Sequence, residues 1–187
     1  MEIIHLASID RDFMQAVEKE SGQQVAHCYQ CGNCTAGCPL TFAFDFPVHQ
    51  IMRLVQVGQK ARVLGSHSIW LCATCETCTT RCPREIDVAR VMDVLRMMAR
   101  REGTVSEEGV QAFYDSFLDS VKGHGRLYEL GVIMKYNLHT KRLFADSALG
   151  PHLLGKGKIH ILPERIKGAG AVKEIFARFA KKRGHEA

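Results

Sequence analysis

The chain has no apolar run approaching the ~18 residues that cross a bilayer, so no membrane span is expected. Its first residues, Met1-Glu2-Ile3-Ile4-His5, place an acid where a secretory leader carries bases, and the apolar stretch is short. A cytoplasmic location is the resulting expectation. Proline is scarce, 5 in 187 residues, so little interrupts long helices. Alternating strand patterns are scarce too, which leaves helices to build the fold. The phosphate-binding loop and the dinucleotide fingerprint are absent, as is any Ser/His/Asp or His-x-x-x-His arrangement. Nucleotide-driven and hydrolytic chemistry therefore have no residues to carry them.

What the chain has instead is cysteine, eight residues in all. Disulfides are uncommon in a reducing compartment, so metal ligation becomes the leading explanation. The pattern Cys28-x-x-Cys31-x-x-Cys34-x-x-x-Cys38-Pro39 recurs as Cys72-x-x-Cys75-x-x-Cys78-x-x-x-Cys82-Pro83, offset by 44 residues. Each copy is followed by an Asp and then an amphipathic helix. Three cysteines at intervals of three let one curled loop reach three corners of an iron–sulfur cube. Gly32 and Gly37 are expected to relieve the backbone of the first loop, and successive amides of such a loop can face an anionic cluster. The fourth cysteine stands before proline, where the chain turns away. In two-cluster ferredoxins this run gives its fourth cysteine to the other cluster. The expected ligand sets are therefore Cys28, Cys31, Cys34 and Cys82 for one [4Fe–4S] cluster, and Cys72, Cys75, Cys78 and Cys38 for the second.

Structural zinc explains neither the third cysteine nor the proline after the fourth, and a disulfide framework suits neither the compartment nor the crowded spacing. The two motifs consume every cysteine, so none remains as a catalytic nucleophile. His27 beside Cys28 reads as a packing or surface residue. Trp70, two residues before Cys72, reads equally as a shield against water at a cluster or as ordinary core.

Charge is uneven. Residues 1–95 carry 8 basic and 10 acidic side chains, residues 96–187 carry 17 and 10. The cysteines all lie in the acidic half, so net basicity is a poor argument for nucleic-acid binding. Periodicity predicts a helix over Asp10–Glu20, ended by Ser21-Gly22, with Phe13, Met14 and Val17 on one face. A second, entered through Asp45-Phe46-Pro47, carries Val48, Ile51, Met52 and Val55. A third, capped by Asp87, carries Val88, Val91, Met92, Leu95 and Met98, with Gly103 just past its end. Beyond it, a helix opened by Ser106-Glu107-Glu108 is expected to bury Val110, Phe113, Tyr114, Phe117 and Val121. The next is expected to cover Leu127, Leu130, Ile133 and Met134. Gly155-Lys156-Gly157-Lys158 reads as a linker, residues 159–163 as an extended piece, and Gly170–Lys182 as a basic amphipathic helix. The domains expected are a two-cluster domain over 1–103, a helical extension packed on it over 104–150, and a basic tail over 151–187.

The strings Cys28-Tyr29-Gln30-Cys31-Gly32-Asn33-Cys34-Thr35-Ala36-Gly37-Cys38-Pro39 and Ile69 to Asp87 resemble the two cluster motifs of the C subunits of heterodisulfide reductases. The resemblance runs on to Gly103 and, more loosely, to about Gly150 and over Lys158–Lys167. The wider family is the alpha-helical ferredoxin domain, found also in succinate dehydrogenase and fumarate reductase. The fold class implied is mainly α, with two cluster loops, extra helices and an extended C-terminal tail. The function implied is that of an electron-transfer subunit of a methanogenesis-type oxidoreductase. It would relay electrons from the flavin and iron–sulfur A subunit to the disulfide-reducing B subunit, with hydrogenase or formate dehydrogenase as indirect partners. No substrate-converting site is expected on this chain alone, and no catalytic residue is assigned. The alternatives are the equivalent relay of a lactate, glycolate or glycerol-3-phosphate dehydrogenase complex, and an iron–sulfur sensor that binds nucleic acid. In the tail, Val172, Ile175, Phe176 and Phe179 form a stripe that the sequence offers for docking a partner subunit.

Overall fold

The computed structural model describes residues 9–142, 150–157 and 162–185. No strand occurs among them, and the fold is mainly α. The chain divides into two compact units, Met1–Glu107 and Glu108–Ala187.

The first unit holds both cysteine loops. Helix α1 (Phe13–Ser21) buries Phe13 and Val17, leaves Met14 half-buried and ends on Gly22 in the left-handed conformation. A short turn at Val25–His27 leads into the first loop, which contains α2 (Asn33–Ala36) and runs into α3 (Val48–Gln56). Helices α4 (Lys60–Leu64) and α5 (Ser68–Leu71) lead to the second loop, which contains α6 (Thr77–Thr80) and runs into α7 (Val88–Arg101). Both long helices bury the predicted stripes: Val48, Ile51, Met52 and Val55 on α3, and Val88, Val91, Met92, Leu95 and Met98 on α7. Burying each large apolar side chain is worth about 1.5–3 kcal/mol. That reward fixes which way each loop must enter its helix.

The caps differ from expectation in one place. Asp87 caps α7 as predicted, its Oδ1 accepting from the Arg90 amide at 2.9 Å, and Gly103 follows with φ 71°. Asp45, however, does not cap α3, whose N-cap Pro47 has no side-chain cap. Its carboxylate instead accepts from the amides of His67 and Ser68 at 3.1 and 2.9 Å, so it closes α5 at the entrance of the second loop. Partial burial works against that charge. The Ser68 hydroxyl and the amides of His67, Ser68 and Phe46 outweigh it and hold the carboxyl below its usual range.

In the second unit, α8 (Glu108–His124), α9 (Glu129–His139), α10 (Gly150–Gly155) and α11 (Ala169–His185) follow one another. The predicted faces need correction here. Helix α8 buries Ala112, Ser116 and Ser120, leaving Phe113 and Tyr114 exposed, and α9 buries Val132 and Asn137, leaving Ile133 and Met134 exposed. Small residues let α8 and α9 approach closely, and the Ser120 hydroxyl accepts from the Tyr128 amide at 2.8 Å. Helix α11 packs on α8 with Val172 and Phe176 half-buried, while Ile175 and Phe179 are 57% and 59% exposed. The expected extended piece lies outside the described residues except at Leu162 and Pro163.

Gly58 ends α3 with φ +68°, and its carbonyl accepts from the Asp10 amide at 2.9 Å. A Cβ there would stand 2.4 Å from the Asp10 carbonyl oxygen. Gly58→Ala should therefore combine left-handed strain with a backbone clash and cost about 1–3 kcal/mol, read as a lowered melting temperature of the iron-loaded protein.

Candidate metal centres

The two cysteine loops share one backbone. On either side of the central cysteine stands a left-handed residue: Gln30 (φ 64°) and Gly32 (φ 81°) around Cys31, Thr74 (φ 50°) and Glu76 (φ 63°) around Cys75. Such alternation curls successive amides toward one side, the geometry of a nest for an anion. Gly32 thus serves as expected. Gly37 does not: its φ is −94°, an ordinary value. Its lack of a side chain makes room for a neighbour, since a Cβ there would lie 2.4 Å from Cδ of Arg81, the residue at the same position of the second loop. Helices α2 and α6 pack together at this point.

Threonine at the eighth position of each motif joins loop to helix. Thr35 Oγ1 accepts from the His49 amide at 3.0 Å, and Thr79 Oγ1 from the Ala89 amide at 3.1 Å. Each loop therefore caps the helix that follows it, which explains how α3 starts without a cap of its own. The carbonyls that open the loops are held from the far ends of the same helices. Gln56 donates to the carbonyls of Val25 and Cys28 at 3.0 and 2.8 Å, and Arg96 to those of Ile69 and Cys72 at 2.8 and 2.6 Å.

This scaffold gathers the eight cysteines into two cavities. One is walled by Cys28, Cys31, Cys34 and Cys82, the other by Cys38, Cys72, Cys75 and Cys78. The two cavities are similar in size and each is closed off on most sides by its walls. The remaining walls are mostly apolar, with Met52, Ile86 and Val88 in the first, and Leu40, Phe44 and Met92 in the second. Among the described residues, no three His, Cys, Asp or Glu side chains converge closely enough for a single ion. The thiols ring a volume instead of a point. Four soft sulfurs around an apolar space, with loop amides curled over it, suit an iron–sulfur cluster.

Each cavity has an outer and an inner cysteine. Cys31 and Cys75 are exposed, Cys34 and Cys78 buried. Burial pushes the Cys78 thiol up to about 11, with Cys72 and Cys34 adding to the rise. Burial likewise raises Cys34 and Cys72. Cys75 is lowered by the Thr77 hydroxyl and amide. The two inner cysteines sit on α2 and α6, the short helices that pack together. His27 is exposed and lines neither cavity. Trp70 is buried, 2% exposed, lines neither cavity, and its Nε1 has no hydrogen-bond partner.

Residues 24–86 match the family model of the 4Fe-4S dicluster domain. That stretch holds both cysteine loops. Its cofactors are two [4Fe–4S] clusters. Among curated proteins it is similar to the C subunit of an H2:CoB-CoM heterodisulfide,ferredoxin reductase from Methanothermobacter thermautotrophicus, at 34% identity over 54% of this chain and 55% of that one. The iron-sulfur C subunit of the CoB–CoM heterodisulfide reductase of Methanopyrus kandleri is 31% identical over 56% and 59%. The C subunit of a ferredoxin:CoB-CoM heterodisulfide reductase from Methanosarcina mazei is 37% identical over 49% and 56%. The chain spans little more than half the length of these relatives. The resemblance to the C subunits of heterodisulfide reductases therefore holds over the cluster domain, and no described helix is long and apolar enough to cross a membrane.

Sequence reasoning missed the roles of Thr35, Thr79, Gln56 and Arg96, and gave Asp45 the wrong helix. Only the 40-residue offset that relates α3 to α7, shorter than the offset between the loops, would have paired Gln56 with Arg96.

The thiol environments predict an order of reactivity in the cluster-free chain. The thiolate is the nucleophile, so Cys75, exposed and shifted down, should be alkylated before Cys34, Cys72 and Cys78, which stay protonated to higher pH. Limited iodoacetamide labelling near neutral pH, followed by peptide mass spectrometry, reads that order. Raising the pH toward 11 should close the gap.

Proposed function

We propose that the chain is the electron-relay subunit of a heterodisulfide reductase-type complex in the cytoplasm. It takes electrons from a flavin-containing iron–sulfur partner and passes them to a disulfide-reducing one, with hydrogenase or formate dehydrogenase feeding the chain of transfers indirectly. The observation that carries this reading is the pair of cavities that use every cysteine and leave each with one exposed and one buried thiol. Such an arrangement offers a way in and a way out for electrons; the one imidazole in the walls, His49 of the first cavity, is engaged with the Thr35 hydroxyl at 2.8 Å. Bound clusters supply the one-electron chemistry. The chain's own part is to hold them, exclude water with apolar walls and keep the two sites adjacent.

The ligand sets proposed are Cys28, Cys31, Cys34 and Cys82 for one cluster, and Cys72, Cys75, Cys78 and Cys38 for the other. Their cavity walls support this crossing. Cys38→Ala should then damage the cluster of the second loop, and Cys82→Ala that of the first. EPR of each reduced variant, with the two signals assigned, checks this. A fourth cysteine serving its own loop would sink the assignment.

The tail belongs to the same reading. Ile175 and Phe179, outward on a basic helix, dock a partner subunit through apolar contact, with the charges aiding encounter. The iron-loaded chain alone, given dithionite and a heterodisulfide, should become reduced and stall, and should support turnover only with its partner subunits. The double variant Ile175→Asp/Phe179→Asp should keep its iron and reduce normally yet fail to restore turnover. Steady disulfide reduction by the isolated chain would contradict the relay. Undiminished turnover of the double variant would remove the tail from docking.

A further inference from the structure

The two loops are held by the same device with one change of charge. At the far end of α3, the Gln56 amide nitrogen donates to the carbonyl of the first loop cysteine, Cys28, and to that of Val25, three residues before it. At the same turn of α7, the Arg96 guanidinium donates to the carbonyl of Cys72 and to that of Ile69, again three residues before. The bonds correspond one for one, so a neutral side chain suffices to anchor a loop. The positive charge of Arg96 is thus surplus to anchoring.

That charge is placed to act. An arginine does not lose its proton in a protein, and the Arg96 side chain is only 14% exposed. Around it the effective dielectric is low, so its field reaches the adjoining cavity with little screening. Asp93 lies 3.5 Å from Arg96 Nη1 and opposes it, but is 43% exposed and more heavily screened. On the other side Arg53, which bonds Gln56 Oε1 at 3.3 Å, is exposed, as are Arg81 and Arg84 near Cys82. The sulfurs receive matching polar neighbours: Gln30 donates to Cys28 Sγ at 3.3 Å, and the Thr77 hydroxyl lies 3.4 Å from Cys75 Sγ. The 56/96 position is one partly buried charge difference between the two sites; the other asymmetry in the walls is His49, half-buried at the first cavity, against Ala89 at the second.

We infer that Arg96 is a potential-tuning residue, which raises the reduction potential of the cluster in the cavity of Cys38, Cys72, Cys75 and Cys78 while Gln56 anchors the other loop without that effect. A reduced cluster carries one more negative charge than an oxidised one, so a fixed nearby cation favours the reduced form. The inference rests on the ligand sets proposed above.

Arg96→Gln copies the residue that the molecule already uses at the equivalent place, so the loop keeps an anchor. EPR-monitored redox titration of the iron-loaded chain should show the midpoint of the second-loop cluster lowered. At fixed potential its reduced-to-oxidised ratio should fall several-fold, with the first-loop cluster nearly unchanged. Arg96→Lys, which keeps the charge and loses the fork, should stay near the parent. Gln56→Arg should raise the first-loop midpoint. Equal midpoints in parent and Arg96→Gln, with both clusters present by iron analysis, would overturn the tuning and leave ligation intact. So would an Arg96→Lys shift as large as that of Arg96→Gln, which marks anchoring alone. If Arg96→Gln takes up no iron, Gln56→Arg decides: an unmoved first-loop midpoint overturns the tuning. Signals that shift on the wrong loop would instead overturn the ligand sets.

Discussion

The constraint on which the first unit depends is that neither cysteine loop walls its cavity alone. A loop with cysteines at intervals of three can curl three sulfurs around one space, and the proline after the fourth turns that residue outward. The fourth wall must then come from the other loop, Cys82 for the first cavity and Cys38 for the second. Most of the local structure serves that exchange. Gly37 gives up its side chain to let Arg81 pass, α2 lies on α6, and Asp45 reaches from the exit of one loop to the entrance of the next. Separated halves would each keep a helix and a loop but lack a closed cavity.

The helices after the loops do more than fill the core. Their first turns are capped by loop threonines and their last turns hold the carbonyls at the loop mouths, so each loop is clamped at two points by one rigid rod. Rigidity of this kind suits electron transfer, because a site that changes shape little on gaining an electron wastes little energy in reorganisation. The apolar walls act in the same direction by keeping mobile water dipoles away from charge. Within that shared frame a single side chain at the end of α3 or α7 can alter one site without disturbing its anchoring.

Parts of this were legible in advance. The cysteine spacing announced the chemistry, and the stripes of α3 and α7 announced the core, because both signals come from residues that repeat along one element. The failures share a cause as well. Asp45 looked like a cap for the helix three residues ahead, yet its partners are the amides of His67 and Ser68, which no local pattern brings near. Gly37 looked like a backbone hinge and proved to be a gap for a side chain from the other copy. On α8 the aromatic residues suggested the buried face, but small residues win where two helices approach closely, so Ala112, Ser116 and Ser120 went inside and Phe113 and Tyr114 stayed out.

The sequence by itself determined the kind of group bound, the helical class and the order of elements, since those follow from residue type and period along the chain. The motif also announced which sulfurs share a cavity, whereas tertiary structure alone decided which threonine caps which helix and which side chain holds each loop mouth. Those outcomes depend on distances between segments tens of residues apart. The packing of α3, α7 and the paired short helices sets such distances, and no local preference encodes them.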